Sequence, residues 1–468
     1  MVFSSMIFLC VFLPVVLIVY YVLPKQLRNL WLLLASLFFY AWGEPRYILI
    51  MLFSTVFDYC NGRAISYATK KGKHDTWGRA VLALSVTGNL AILCFFKYTD
   101  FVLENINRLA GTQFGLLQLA LPIGISFYTF QTMSYTIDVY RGKTPAQQNM
   151  ISFGMYVCLF PQLIAGPIVR YKDVQKEVDA RTTTISGVAS GVQRFLIGLA
   201  KKVLLANQIG ALWDYLKGLG SMDMSMALAW LGALAFTFQI YFDFSGYSDM
   251  AIGLGEMFGF HFPENFDHPY ESKSITEFWR RWHMTLGTWF REYLYIPLGG
   301  NRNGVARQIF NLLVVWFLTG LWHGAGWNFI LWGLYYFVLL VLEKFVLRGV
   351  LERLPGIVQH LYTMFFVIIG WVIFAFDDMG QLESFLKALF GIGVPAGNGL
   401  ALYEWDIRAP FLAVLLIAST TFPARIAKQL TREERRSPLL MVYTGALLVL
   451  SLAFLVSGSY NPFLYFRF

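Results

Sequence analysis

The sequence predicts an all-α polytopic membrane protein, and three observations carry that reading. Of its 468 residues, 57% are hydrophobic and only 14% charged, where soluble domains carry about 25% charged residues. Mean hydropathy is +0.54. The apolar residues lie in runs separated by short basic loops. A crossing needs about 20 such residues, so the length allows roughly ten to twelve passes, with re-entrant or interfacial helices besides.

The first run, residues 4–23, is apolar at once, has no basic n-region and meets Pro24-Lys25 without an A-x-A site. It reads as a transmembrane helix that stays rather than a cleaved signal. Runs at 30–42, 47–61 and 80–96 follow. The runs at 121–137 and 151–165 contain LPIGISFYTF (121–130) and LIAGPIVRYKDV (163–174). Pro and Gly inside apolar stretches mark kinks or re-entrant breaks. Arg170, Tyr171 and Lys172 either meet an anionic head group or form an ordinary basic loop.

Further runs lie at 189–206 and 226–242. The second leads into YFDFSGYSDMAIGLG (241–255), where Asp243, Ser245, Ser248 and Asp249 are expected at a helix end. There they anchor a broken helix, line a polar cavity or ion site, or simply cap. The last runs are 309–322, 327–347, 359–376, 410–422 and 439–457. No repeat, long linker or low-complexity tract divides the chain, which reads as one integral domain, 1–468.

The net charge of +9 sits in loops between the runs, where it sets orientation and does not indicate nucleic acid. Basic clusters at Lys25/Arg28, at Lys70, Lys71, Lys73 and Arg79, and at Arg425, Lys428, Arg432, Arg435 and Arg436 are placed in the cytoplasm. The N-terminus and the tail SYNPFLYFRF then lie outside. Cys10, Cys60, Cys94 and Cys158 occur in apolar stretches without CxxC spacing and read as buried, inert thiols.

The segment EFWRRWHMTLGTWFREYLYIPLGG (277–300) sets two Glu, three Arg, three Trp and a His into an otherwise greasy chain. Ser274 and Glu277 fit a capping box, and one helix is expected to run to about Tyr293. At 100° per residue its dry face holds Trp279, Trp282, His283, Leu286, Trp289, Phe290 and Tyr293. Glu277, Arg280, Arg281, Thr288, Arg291 and Glu292 share the wet face. Such a helix is interfacial or borders a water-filled cavity. His283 is either a packed, hydrogen-bonded core residue or part of a reactive site.

A second histidine, His323, lies in LTGLWHGAGWNFILWG (318–333), with Trp322 and Asn328 beside it. Burial disfavours imidazolium, so His323 is expected neutral near pH 7 and able to accept a proton as a general base. The alternative is a helix-packing His bonded to a carbonyl. Neither His has Cys, Asp or Glu at ligand spacing, so no metal is expected, and no H-E-x-x-H, G-x-S-x-G or Walker motif occurs.

Together EFWRRWHMTLGTWFREYLYIPLGGNR and GLWHG resemble the membrane-bound O-acyltransferase (MBOAT) family. MVFSS, PIGISFYTF, IDVYRG, LIAGPIVR, YFDFSGYSDMAIGLG, ENFDHPY and YNPFLYF resemble its bacterial, alginate-acetylating branch, so the likeness covers nearly the whole chain. The resemblance implies a ring-like bundle of tilted helices around a central funnel open to the cytoplasm. It implies that His323 is catalytic and His283 a second functional histidine. It further implies a cytoplasmic acyl thioester donor, acetyl-CoA or an acyl carrier, with no tightly bound cofactor. An SGNH-type acetyltransferase partner would complete O-acetylation of an exopolysaccharide outside the bacterial inner membrane. On that reading Trp279, Arg280, Arg281, Trp282, Trp289, Arg291, Trp322 and Asn328 line the donor site or tunnel. Rival readings are D-alanyl transfer toward teichoic acid by the sister branch, a proton-coupled transporter, and a non-catalytic scaffold of a secretion complex.

Overall fold

A computed structural model describes residues 1–220, 222–431, 438–458, 463 and 464. Every regular element among them is a helix. The chain forms two compact units, Met1–Phe195 with Ser248–Glu264, and Leu196–Tyr247 with the described residues from Asn265 on.

The first unit holds α1 (Leu13–Val22), α2 (Arg28–Gly43), α3 (Ile48–Lys70), α4 (Arg79–Ala110), α5 (Ile125–Tyr140), α6 (Met150–Cys158), α7 (Phe160–Leu163) and α8 (Tyr171–Asp179). Helix α9 (Ile185–Ala200) has residues in both units; α10 (Asn207–Lys217) follows, and α11 (Met226–Phe258) again has residues in both. The second unit continues with α12 (Ile275–Arg281), α13 (Met284–Phe290), α14 (Gly304–His323), α15 (Trp327–Leu342), α16 (Arg348–Leu351), α17 (Gly356–Ala375), α18 (Met379–Leu389), α19 (Gly399–Ala418), α20 (Phe422–Thr431) and α21 (Pro438–Ser457).

Eight helical segments among the described residues are long and apolar enough to cross a membrane. The chain is a multi-pass membrane protein. Large apolar side chains such as Ile18, Val22, Leu361, Val442 and Val449 point outward, as expected where the surrounding solvent is lipid. Cys10, Cys60 and Cys94 are exposed on such surfaces, contrary to the expectation of burial; only Cys158 is buried, with its sulfur 3.9 Å from Thr55 Oγ1.

The expected breaks are real and are helix boundaries. Gly124 takes φ +78° directly before α5, and a Cβ there would lie 2.5 Å from the Leu163 carbonyl oxygen. That position needs glycine for both reasons. Residues 164–170 separate α7 from α8. Arg170 is held by Asp173 at 2.8 Å, and Lys172 by the buried Asp138 at 3.4 Å. These cations face protein carboxylates, and the loop reading is corrected too, because Arg170 caps α8 and Tyr171 and Lys172 form its first turn.

One expectation is corrected in α11. Asp243, Ser245, Ser248 and Asp249 sit inside its 33 residues, not at a helix end. The helix continues because its charges find partners. In the second unit Lys202 pairs with Asp243, both almost wholly buried. In the first unit Arg194 donates to Asp249 at 3.1 Å and to Glu264 at 2.7 Å. Arg432, Arg435, Arg436, the side chain of Lys428, and tail residues 459–462 and 465–468 lie outside the described residues. The described Phe463 and Leu464 dock on α11. The Leu464 N–H donates to Asp243 Oδ2 at 2.8 Å, and the Phe463 ring meets Tyr247 edge-on at 4.6 Å.

In the second unit α14 and α15 form a hairpin whose backbones nearly touch. A Cβ on Gly333 would lie 2.4 Å from the Trp316 carbonyl oxygen, and one on Gly320 would lie 2.4 Å from the Phe329 carbonyl oxygen. Small residues permit this close approach, which places His323 at the end of α14. Gly333→Leu is therefore expected to lower thermal stability in detergent by several degrees, through overpacking of about 1–3 kcal/mol. Gly349→Ala, where nothing lies within 4 Å of a new Cβ, should leave it unchanged or slightly raised. Fluorescence-detected melting of the two variants checks the contrast.

Candidate active site

The site begins with a turn that helical periodicity hides. Ser274 caps α12, its Oγ accepting the Glu277 N–H at 3.0 Å. Glu277 reaches back to the Lys273 N–H at 2.9 Å and pairs with Arg281 at 2.8 Å. The remaining orphan donors of this helix start meet a carboxylate from a distant element. Buried Glu343 accepts the Ile275 and Thr276 N–H groups at 2.7 and 2.9 Å, a favourable place for negative charge. Because Glu343 directly follows α15, it ties α12 to the hairpin that carries His323.

The single helix expected to reach Tyr293 is instead broken after Arg281. Trp282 is extended, and His283 adopts a left-handed backbone with φ +44°, uncommon for a residue with a Cβ. Asn265 compensates. Its backbone carbonyl accepts the Met284 N–H at 2.9 Å. Its Oδ1 accepts the Thr285 N–H at 3.3 Å, the Thr285 hydroxyl at 2.8 Å and the His283 Nδ1–H at 3.1 Å. The Asp267 N–H donates to the Arg281 carbonyl at 3.0 Å. ENFDHPY was visible in the sequence, but no local pattern marks Asn265 as the partner of a break eighteen residues later.

Most of the expected dry face survives the break: Trp282, His283, Leu286, Trp289, Phe290 and Tyr293 are all buried, and Trp279 is half-buried. With Nδ1 donating, Nε2 carries the imidazole lone pair. Burial pushes the His283 pKa from 6.5 down to about 3, so the ring is neutral. His283 lies outside the eight membrane-crossing segments. Its ring meets Phe244 edge-on at 4.7 Å.

His323 is 5% exposed and ends α14. It is packed against Trp322 and Trp332, each at 5.0 Å, and Phe374 at 5.3 Å. Trp322 also lies 5.9 Å from the His283 ring, so one indole touches both histidines. Asn328 is fully buried and donates to the Phe374 carbonyl at 3.3 Å, bracing the wall behind His323.

His283 and His323 line one cavity of about 250 Å³, together with Trp279, Trp282, Leu286, Phe290, Leu312, Val315, Trp316 and Thr319. A larger cleft of about 800 Å³ shares the walls Trp279, Gly287, Arg291 and Tyr295 with it. The cleft also presents Arg280, Arg302, Lys344, Asn301 and Asn303, and no carboxylate lines it among the described residues. Arg302, Lys344 and Tyr295 were not singled out from sequence. Arg302 belongs to a turn before α14, and Lys344 to the helical segment Glu343–Leu347 that continues α15.

Not every expected lining residue is there. Arg281 turns to Glu277, Trp289 packs on Phe290 and Tyr293 at 5.5 and 5.2 Å, and Trp322 and Asn328 are not among the walls either. Asp243 and Ser245 are not among the cavity walls, and Asp249 and Ser248 belong to the first unit. The indole N–H groups of Trp279 and Trp332 are buried without a hydrogen-bond partner among the described residues. Trp332 packs on His323, and Trp279 lines the cavity that both histidines line, so both are dry donors at the site.

Known proteins resemble this chain across most of its length. The model of the MBOAT, membrane-bound O-acyltransferase family, matches residues 34–377. The Pseudomonas aeruginosa protein named Probable alginate O-acetylase AlgI is 46% identical over 398 residues, covering 84% of this chain and 75% of that one. Peptidoglycan O-acetyltransferase of Helicobacter pylori is 33% identical over 100% of this chain and 97% of its own. Teichoic acid D-alanyltransferase of Bacillus subtilis is 27% identical over 54% of this chain and 68% of its own.

The buried neutral His283 makes stability depend on pH with a definite sign. Between about 3 and 6.5 the unfolded chain binds a proton that the folded chain does not. Its contribution is fully present above 6.5 and is lost as pH falls toward 3. The loss is about 2 kcal/mol at pH 5. Melting in detergent at pH 7.5 and pH 5 should show a smaller acid loss for His283→Asn, since Asn tolerates the left-handed backbone.

Proposed function

This chain belongs to the membrane-bound O-acyltransferase family and is an O-acyltransferase, and we propose that it moves an acetyl group from a cytoplasmic thioester across the membrane for O-acetylation of an exopolysaccharide of the alginate type. One observation carries the reading: a cationic cleft and a two-histidine aromatic cavity share a wall. A thioester donor has the matching halves, an anionic phosphate-bearing end and an apolar acyl end.

In this proposal Arg280, Arg291, Arg302 and Lys344 hold the donor's phosphates, which guanidinium groups recognise in bidentate fashion. The donor is acetyl-CoA or an acetylated carrier arm. The thioester carbonyl enters between Trp279 and the histidines. An acceptor hydroxyl gives its proton to His323 while its oxygen attacks the carbonyl carbon. The developing oxyanion takes hydrogen bonds from indole N–H groups, Trp279 first because it lines both spaces. The C–S bond breaks and the thiolate recovers the proton from His323, so the products are an acetyl ester and a free thiol. His283 orients the acceptor or thioester through Nε2. Aromatic walls exclude water that would hydrolyse the thioester.

Acetyl is preferred to D-alanyl on a physical ground. The α-ammonium of a D-alanyl thioester would need an anionic partner, and no Asp or Glu lines the cavity among the described residues. The acetylase relatives are also the more similar ones. A bacterial inner-membrane location and an SGNH-type partner that completes transfer belong to the same proposal.

His323→Ala is expected to lower exopolysaccharide O-acetylation at least a hundredfold at equal membrane expression. Normal acetylation by that variant would contradict an enzymatic role and favour a scaffold. Arg291→Glu should raise the donor KM about tenfold or more while leaving kcat within about threefold, the pattern of lost ground-state binding. Steady-state kinetics in proteoliposomes check it.

A further inference from the structure

The first unit contains a buried carboxylate that acyl transfer does not use. Asp58 of α3 is fully buried among α3, α4 and α5, all rich in apolar residues. Its Oδ1 accepts the Ser85 hydroxyl at 2.6 Å and the Asn61 amide at 3.4 Å; its Oδ2 accepts the Asn89 amide at 2.6 Å. Behind these, Ser85 Oγ lies 2.9 Å from Thr136 Oγ1, and Thr132 Oγ1 donates to Asn89 Oδ1 at 3.4 Å. Every partner is neutral. The cation on the same stripe of α4, Lys97, is eight residues beyond Asn89, about 12 Å along the axis, with its ammonium 3.4 Å from Ser126. Facing Asp58 from α5, the Tyr135 hydroxyl is engaged by the Gln147 N–H at 3.0 Å.

A formal charge buried against two membrane-crossing helices, α3 and α4, is expensive unless compensated, and by default it marks a functional site. We propose that Asp58, Ser85, Asn89, Thr132 and Thr136 form a binding site for one monovalent cation of sodium size. The five side chains bring six hard oxygens from three helices. One carboxylate balances one positive charge, whereas a divalent ion would leave an excess charge in a medium of low dielectric. Binding needs only local rotation. The Ser85 proton turns from Asp58 to Thr136 Oγ1, and Thr136 already donates to the Met133 carbonyl at 3.1 Å. The Asn89 amide turns to present its carbonyl, an exchange of nearly isosteric ends. The turned amide gives up its 2.9 Å bond to the Ser85 carbonyl, and the carboxylate is released to the ion. This site is independent of the acyl-transfer reading.

The test uses the purified full-length protein in nanodiscs. Melting is followed while NaCl replaces N-methyl-D-glucamine chloride at constant ionic strength. The proposal predicts a saturable rise of several degrees for wild type and none for Asp58→Asn. Should Asp58→Asn fail to fold, Ser85→Ala and Thr136→Val should each move the sodium midpoint upward about tenfold, the effect of about 1.4 kcal/mol for a lost ligand. An equal response to both salts, or an unmoved midpoint in these variants, overturns the proposal. A rise that follows acidification but not sodium assigns the carboxyl to a proton and overturns it too.

Discussion

One amide oxygen, Asn265 Oδ1, accepts three donors at the point where α12 stops and α13 starts. Without it the left-handed backbone of His283 and two buried N–H groups would stand uncompensated, at about 1–3 kcal/mol for each lost partner. The rest of the site follows from that bond. Trp279 and Arg280 stand on one side of the turn and Thr288 and Arg291 on the other, so one short segment supplies both cavity and cleft. The same bond sets the tautomer of His283 and points its acceptor nitrogen away from Asn265.

The second constraint is the absence of water as a partner inside a membrane. Each buried charge must find its counterpart within the protein. Lys202 with Asp243 and Glu343 with the start of α12 obey it, the part-buried Arg194 pairs with Asp249 and Glu264, and Asp58, held by neutral groups alone, is the exception. The Lys202–Asp243 pair bears on the transporter reading, since the carboxylate that would suit a proton relay is held by a lysine and by a tail amide. The two histidines instead converge on a cavity adjoining a cationic cleft, an arrangement suited to a bound donor.

Much of this was legible in the sequence. Apolar runs located the helices because lipid-facing and core-facing residues are both apolar in a membrane protein. For the same reason the runs did not separate exposed from buried cysteines. The dry face of residues 282–293 is legible in a period that the structure interrupts, and Trp279, assigned to it too, is half-buried. Burial resumes after the two-residue turn at nearly the same phase, so Trp282 and His283 stay inside without helical geometry. What the sequence could not show was pairing at long range. Asp243 and Lys202 are 41 positions apart, and Glu343 meets Ile275 across 68. A helix end was therefore expected where a continuous helix runs. His323 and the glycines around it were legible as a close helix contact, whereas the cations Arg302, in a turn, and Lys344, in the helical extension of α15, reach the site only through the tertiary fold.

The central claim is that cleft and cavity together hold one thioester, with its acyl carbon beside His323. The most direct measurement is a cryo-electron microscopy structure with a non-hydrolysable acetyl thioester analogue. The account predicts the phosphate groups against Arg280, Arg291, Arg302 and Lys344, and the acetyl group in the cavity between His283 and His323. Density for the analogue at another surface, with this cavity closed, would contradict it.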